Sequence, residues 1–215
     1  MLFRSALAAA ATALTVAAVP AVAPAASLTT DLPCYPEGYP VTFSGSGWSP
    51  NTQWGLSAGG SVFQSGSADV LGSFTSRVAA PNVVPDTVAP QKVTVVGTQD
   101  GSEVASVSFR VVNFMVKLDS DRGRPTGKTT WRFSGFSPGS TVYVHIRRGG
   151  KTLSNTRIGT SSSPCGTGKR RLARLPGVAH PRSGTYKVFV DGAKQYSPKT
   201  SPQMRGSYIV YTTYR

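Results

Sequence analysis

Two stretches of this chain are versions of one another, and that duplication constrains the fold more than any other feature. Residues 131–146 read W-R-F-S-G-F-S-P-G-S-T-V-Y-V-H-I, and residues 43–56 read F-S-G-S-G-W-S-P-N-T-Q-W-G-L. Each is an apolar strand-like run, a Gly-aromatic-Ser-Pro turn and a second strand-like run. The correspondence continues along the chain. Phe43, Gly47, Trp48 and Pro50 match Trp131, Gly135, Phe136 and Pro138 at an offset of 88, and Gly59-Gly60 match Gly149-Gly150 at 90. Leu71-Gly72 match Cys165-Gly166 at 94, Lys92-Val93 match Lys187-Val188 at 95, and Phe109 and Val111 match Tyr208 and Val210 at 99. A slow, one-way drift is what loop insertions in a duplicated domain leave behind, whereas chance matches scatter.

The repeat predicts two domains, residues 27–113 and 114–215, joined near residues 113–115 without a Gly/Ser- or Pro-rich linker. After residue 26 no stretch carries apolar residues at sustained helical spacing. Short runs rich in Val, Thr, Tyr and Phe alternate with turn residues instead, which is a strand pattern. Strands are expected at 39–45, 52–58, 61–65, 73–79, 91–97 and 104–112 in the first domain. In the second they are expected at 114–119, 128–133, 141–147, 152–158, 168–175, 185–190 and 207–213. Alternation places Trp131 and Phe133 on one face with Arg132 pointing out, and Val142, Val144 and Ile146 opposite Tyr143, His145 and Arg147. The turn Ser137-Pro138-Gly139-Ser140 suits a type II β-turn, with Ser49-Pro50-Asn51-Thr52 as its counterpart. Six or seven short strands in about 90 residues, without helical crossovers, give an all-β reading: two tandem immunoglobulin-like β-sandwich domains. Trp48, Trp54 and Phe109 are the expected core of the first, and Trp131, Phe133, Phe136, Val142, Val144 and Ile146 that of the second.

The first 26 residues are read as outside the fold. Arg4 precedes an apolar run over 6–19, then come Pro20 and an Ala23-Pro24-Ala25 site. That is the layout of a cleaved secretory signal peptide, and the run is too short for a bilayer span of about 20 residues. No second apolar run follows, so no transmembrane segment is expected. The mature protein is expected outside the cell, released or held at the wall. In that oxidising compartment the two cysteines, Cys34 and Cys165, either form one disulfide joining the domains or stay as thiols.

The motif aromatic-x-G-x-G-aromatic-x-P-x-x-x-aromatic, from Phe43 to Trp54, resembles the second and third strands of bacterial immunoglobulin-like modules. These include the IPT/TIG group and related repeats of secreted actinobacterial proteins. F-S-G-F-S-P-G-S-T-V-Y-V in the second domain resembles them more closely. The resemblance implies a spacer, adhesive or carbohydrate-binding role. V-T-F-S-G-S-G-W, residues 41–48, is also similar to an early strand of the neocarzinostatin group, small secreted sandwiches that carry a chromophore. That likeness implies an apolar small-ligand carrier in the first domain; the group has two disulfides within one domain, and the first domain here has only Cys34.

Charge is distributed unevenly. The first domain has Arg77, Lys92 and Arg110 against six acids, a net of −3; the second has nineteen Lys and Arg against Asp119, Asp121 and Asp191, a net of +16. A surface this one-sided attracts polyanions. The expected function is a non-enzymatic, cell-surface or secreted module binding an anionic cell-wall polymer or polysaccharide. A structural or adhesive module without such a ligand is the alternative, and an apolar small-ligand carrier in the first domain is another. The candidate polyanion-binding residues are Arg147, Arg148, Lys151, Lys169, Arg170, Arg171, Lys194, Lys199 and Arg205. The last three sit around Tyr196 in a loop about four residues longer than its first-domain counterpart, where binding elements tend to be added. Nucleic acid is not the expected partner, because no reading module is present.

Catalytic patterns do not assemble. G-R-P-T-G-K-T at residues 123–129 is one residue short of a phosphate-binding loop and leads into a strand rather than a helix. His145 and His180 have no nucleophile motif nearby, and His145 is expected to be a partly exposed strand residue. Three acids near turns do not suggest a carboxylate pair, and the cations beside Asp119 and Asp121 disfavour calcium. No enzyme activity, cofactor or metal is expected.

Overall fold

The computed structural model describes residues 25–83, 85, 87–120 and 123–211. The expected signal peptide, save its last two residues, lies outside the described residues, as do Asp121 and Arg122. The chain forms β1 (Ser27–Thr30), β2 (Cys34–Pro36), β3 (Pro40–Ser46), β4 (Gln53–Ala58), β5 (Ser61–Ser67), β6 (Phe74–Ala79), β7 (Gln91–Gln99) and β8 (Ser102–Val112). It continues with β9 (Met115–Leu118), β10 (Lys128–Ser134), β11 (Thr141–Arg148), β12 (Lys151–Thr160), β13 (Gly168–Ala173), β14 (Gly184–Asp191) and β15 (Met204–Val210).

These strands make two sandwiches. The first stacks a sheet of order β1-β3-β6 on one of order β2-β8-β7-β4-β5, and the second stacks β13-β10-β9 on β12-β11-β14-β15. In immunoglobulin lettering both are an A-B-E sheet facing a C′-C-F-G sheet, to which the first sandwich adds β2 beside its G strand, β8. Alternation supplies the cores. Val41, Phe43, Trp48, Trp54, Leu56, Phe74 and Phe109 fill the first, and Trp131, Phe133, Phe136, Val142, Val144, Ile146 and Tyr186 the second. Tyr186, near the start of β14, adds a tyrosine corner: its hydroxyl accepts from the Arg182 amide and donates to the Arg182 carbonyl, both at 2.8 Å.

Three expectations are corrected. β1 and β2 were not foreseen, because β1 buries one apolar side chain, Leu28, and β2 is three residues pairing in parallel with β8; neither is long enough to show a period. The last strand covers 204–210, three residues earlier than expected. The repeat alignment also shifts. Leu56 pairs with Gly97 while its match Val144 pairs with Val190, and Val93 pairs with Phe109 while Tyr186 pairs with Tyr208. So β14 aligns with β7 at an offset of 93, not 95. A slip of two keeps the same parity facing the core, so alternation alone cannot detect it.

The turn after the shared motif is held the same way in both halves. Ser140 N–H donates to Ser137 O at 3.0 Å and Thr52 N–H to Ser49 O at 3.4 Å, with Gly139 and Asn51 at positive φ. The aromatic residue of the turn then docks on a glycine. Trp48 N–H donates to Gly72 O at 3.0 Å, and Phe136 N–H to Gly166 O at 3.3 Å. Both glycines have positive φ, and an added Cβ would lie 1.9 Å from Trp48 O at Gly72 and 1.5 Å from Phe136 O at Gly166. Backbone conformation and space both demand glycine there.

The sandwiches meet directly. Only residues 113 and 114 separate β8 from β9; Ser134 Oγ donates to Asn113 O at 2.6 Å, and the Phe114 ring sits 4.9 Å from that of Phe136. Cys34 and Cys165 form a disulfide with Cα atoms 5.2 Å apart, and with Val112 they make a small buried cluster of their own. The bond spans 131 residues, which on the chain-entropy account removes about 5 kcal/mol of unfolded-state freedom.

At the entrance to β2, Tyr35 hydroxyl donates to Asp31 Oδ1 at 2.7 Å and accepts from the Leu32 amide at 2.7 Å, while the Thr42 amide donates to the same Asp31 oxygen at 2.8 Å. Burial opposes the charge on Asp31, but these hydrogen bonds outweigh it and hold the carboxyl below its usual range. Burial, then the Asp31 hydrogen bond, pushes the Tyr35 phenol up to about 12.

Two outcomes follow. Gly166→Ala and Gly72→Ala should each destabilise by about 3 kcal/mol or more, read as a fall in the denaturation midpoint, whereas Gly139→Ala, with open space around it, should cost clearly less. Because the Tyr35 phenol is raised in the folded state, its contribution is complete below pH ~10 and is lost as pH climbs toward 12. Tyr35→Phe should therefore flatten the fall in stability between pH 10 and 12 in alkaline denaturation.

Candidate anion-binding surfaces

The outer face of β13-β10-β9 gathers cations that are scattered in sequence. Along β10, Thr129, Trp131 and Phe133 turn inward, so Lys128, Thr130 and Arg132 turn outward. Residues directly opposite in antiparallel strands share a face, and Arg132 is opposite Lys169 on one side and Lys117 on the other. Thr130 is opposite Arg171. The face thus presents Lys117, Lys128, Arg132, Lys169 and Arg171 over a backbone area of about 10 by 13 Å. Like charges directly opposite one another destabilise a sheet, and here three stand in one row.

Among the described residues, Asp119 forms an ion pair with Arg132 of this face. Arg132 donates from Nε to Asp119 Oδ1 at 2.6 Å and from Nη2 to Oδ2 at 3.1 Å, a two-pronged pair with both side chains about 40% exposed (41% and 43%). The hydrogen bond from Arg132, reinforced by the nearby charges of Arg132 and Lys169, holds the Asp119 carboxyl below its usual range.

The opposite sheet carries a second, different group. Arg147 is opposite Lys187 on the outer face of β11 and β14, and Arg205 on β15 is opposite Phe189. Residues 192–203 cross this face as a strap. The Tyr196 ring lies 4.8 Å from Phe189 and 5.9 Å from His145, and the Arg147 guanidinium stands 4.1 Å over it. With β14 at an offset of 93 and β15 at 99, the connection is six residues longer than in the first domain, not four.

Under the strap His145 is fully buried, contrary to the expected partial exposure, because the strap converts an outward-facing strand position into an interior one. Its Nε2–H donates to Asp191 Oδ1 at 3.0 Å, and its Nδ1 lies 2.6 Å from Asn155 Oδ1. Asp191, also fully buried, accepts from the Ala193 amide at 2.8 Å and from Gln203 Nε2 at 2.7 Å. Both ring nitrogens are engaged, which leaves none to activate a nucleophile. The pair anchors the strap to the sheet. Among the described residues, no group of three or more His, Cys, Asp or Glu side chains is placed to hold a metal.

The nine expected cations therefore do not form one patch. Lys169 and Arg171 lie on the small-sheet face. Arg170 points toward the core side at the open edge, donating to Arg157 O at 3.4 Å. Arg148 braces the tyrosine corner through Ser183 O at 2.7 Å and Tyr186 hydroxyl at 3.3 Å. Lys151 is exposed at the hairpin, Lys194 and Lys199 on the strap, and Arg205 in β15 rather than in the loop. The sequence set omits Lys117, Lys128 and Arg132, which only the register joins to Lys169; the outward parity of Lys128 and Arg132 on β10 was the available signal. The Gly123–Thr129 segment does lead into a strand, β10. A cleft of about 610 Å³ beside the disulfide is lined by Leu32, Tyr39, Phe136 and five prolines with no charged side chain, so it adds nothing to anion binding.

Removing the imidazole of His145 leaves Asp191 buried without its partner. His145→Ala should cost about 3–5 kcal/mol, measured by urea denaturation, and should expose the strap to limited proteolysis ahead of the sheets.

No family model matches this chain, and no curated protein matches it. Among solved structures it is similar to the human OSCAR ligand-binding domain, at 13% identity and a TM-score of 0.36, covering 87% of this chain and 98% of that one. It is also similar to a tetra-tandem repeat from the extending region of a large adhesion protein, at 15% identity and 0.30, covering 88% and 50%. A third is a mutant Salmonella alpha-2-macroglobulin, at 13% and 0.33, covering 91% and 15%. Likenesses this distant do not extend to ligand or partner.

Proposed function

We propose that the chain is an exported, non-enzymatic binding protein whose second sandwich holds an anionic extracellular polymer, an acidic polysaccharide or wall polymer, across the outer face of β13-β10-β9. The carrying observation is the row Lys169–Arg132–Lys117, three cations directly opposite one another, with Asp119 paired to the central Arg132. Such a row costs the isolated protein stability, and a polymer with repeated negative charges offsets that cost along the whole row. Export rests on the signal-peptide pattern of residues 1–26, and the kinship with IPT/TIG-type surface modules on the Gly-aromatic-Ser-Pro motif. The strap-side cations, stacked on Tyr196 and Phe189, are read as structural first.

The test is heparin-affinity chromatography of the full mature chain at graded salt. Reversing Lys117, Lys169 and Arg171 to Glu should weaken binding at least tenfold, since exposed ion pairs each contribute up to about 1 kcal/mol. Reversing Lys151, Lys194 and Lys199 changes net charge equally and should shift elution far less. Equal losses in both variants would reduce the effect to net charge. Retention that persists in high salt would favour the adhesive reading over the electrostatic one.

A further inference from the structure

The two sandwiches share a backbone plan but not a core volume. Between the sheets of the first, a cleft of about 380 Å³ runs inward from the edge where β5 and β6 face each other. Its lining includes Phe43, Ala58, Phe63, Val78, Val93 and Phe109. The repeat gives the counterpart of three of them in the second sandwich: Phe43 matches Trp131 and Ala58 matches Ile146 at the offset of 88, and Val93 matches Tyr186 by strand register. Those larger side chains are 1%, 0% and 1% exposed, filling the space that the first sandwich leaves open. The edges differ too. In the second sandwich the gap is spanned by Arg170 donating to Arg157 O and by Ser154 Oγ donating to Pro176 O at 2.6 Å. In the first, Phe63 stands at the mouth, 42% exposed.

We infer that this cleft is a binding site for one small, neutral, aromatic molecule. Its volume falls in the range of small-molecule pockets. No lining side chain is charged, so a charged ligand would be desolvated without compensation. Three phenyl rings define the walls, with Phe43 5.9 Å from Phe109 and 6.2 Å from Phe63, a spacing at which a ligand ring gains edge or offset contacts. Ser61 at the rim offers one hydroxyl for a single polar substituent. The site lies in the acidic first domain and is independent of the cationic face of the second.

The experiment titrates the full mature chain with the neutral aromatic dye Nile red and, separately, with naphthalene, following methyl NMR signals. The expected result is saturable one-to-one binding, with shifts concentrated on the methyls of Val41, Val78 and Val93 and not on Val142 or Val144. Ala58→Ile, which copies the second sandwich, should weaken binding at least tenfold while the melting temperature holds or rises. Should Ala58→Ile fail to fold, the methyl map on the unaltered chain decides alone. The inference is overturned if the intact chain shows no saturable binding, if the shifts map to the proline-lined cleft instead, or if folded Ala58→Ile binds unchanged.

Discussion

The Cys34–Cys165 bond ties together the two contacts on which each sandwich depends. Cys34 opens β2, whose parallel ladder with β8 closes one side of the first core. Cys165 precedes Gly166, the seat of the Phe136 turn. Val112, the last residue of β8, is buried between them. A two-residue joint alone would leave the sandwiches free to swing about residues 113 and 114. The bond, the Phe114–Phe136 contact and the Ser134–Asn113 hydrogen bond together fix where one ends against the other.

Much of the fold was legible because it is written twice. Alternation over Trp131, Phe133, Val142 and Val144 identified core faces, and Gly-Gly and Ser-Pro turns marked where strands reverse. What escaped had physical reasons. A three-residue strand such as β2 has no period to read. A slip of two between β7 and β14 preserves parity, so only hydrogen-bond register reveals it. His145 was misjudged because its burial comes from residues 192–203, some fifty positions away, and not from its own strand. For the same reason the cationic face was half seen: Lys169 and Arg171 were in view as a sequence cluster, but Lys117, Lys128 and Arg132 join them only through pairing.

Duplication left two copies under different demands. In the second, bulky residues such as Trp131, Ile146 and Tyr186 close the interior, and the outer faces accumulate positive charge. In the first, smaller residues at the matching positions leave the interior open and the surface mildly acidic. The Gly72 and Gly166 seats are the same in both, so divergence has proceeded around an unchanged turn. The two copies differ in opposite places, in charge on the exterior of one and in open space within the interior of the other.

The disulfide also sets how this chain would carry load. If one end is held at a surface and the other is pulled, tension enters along the residues before Cys34, crosses the sulfur–sulfur bond and leaves through the residues after Cys165. Everything from β3 to β12 lies in the covalent bypass. The first sandwich's cleft, built on β3 to β8, is outside the force path, except for its β1 flank. The strained members would be β1, β13, β14 and β15, so the β13 edge of the cationic face would feel a pull that the β9 and β10 strands beside it would not.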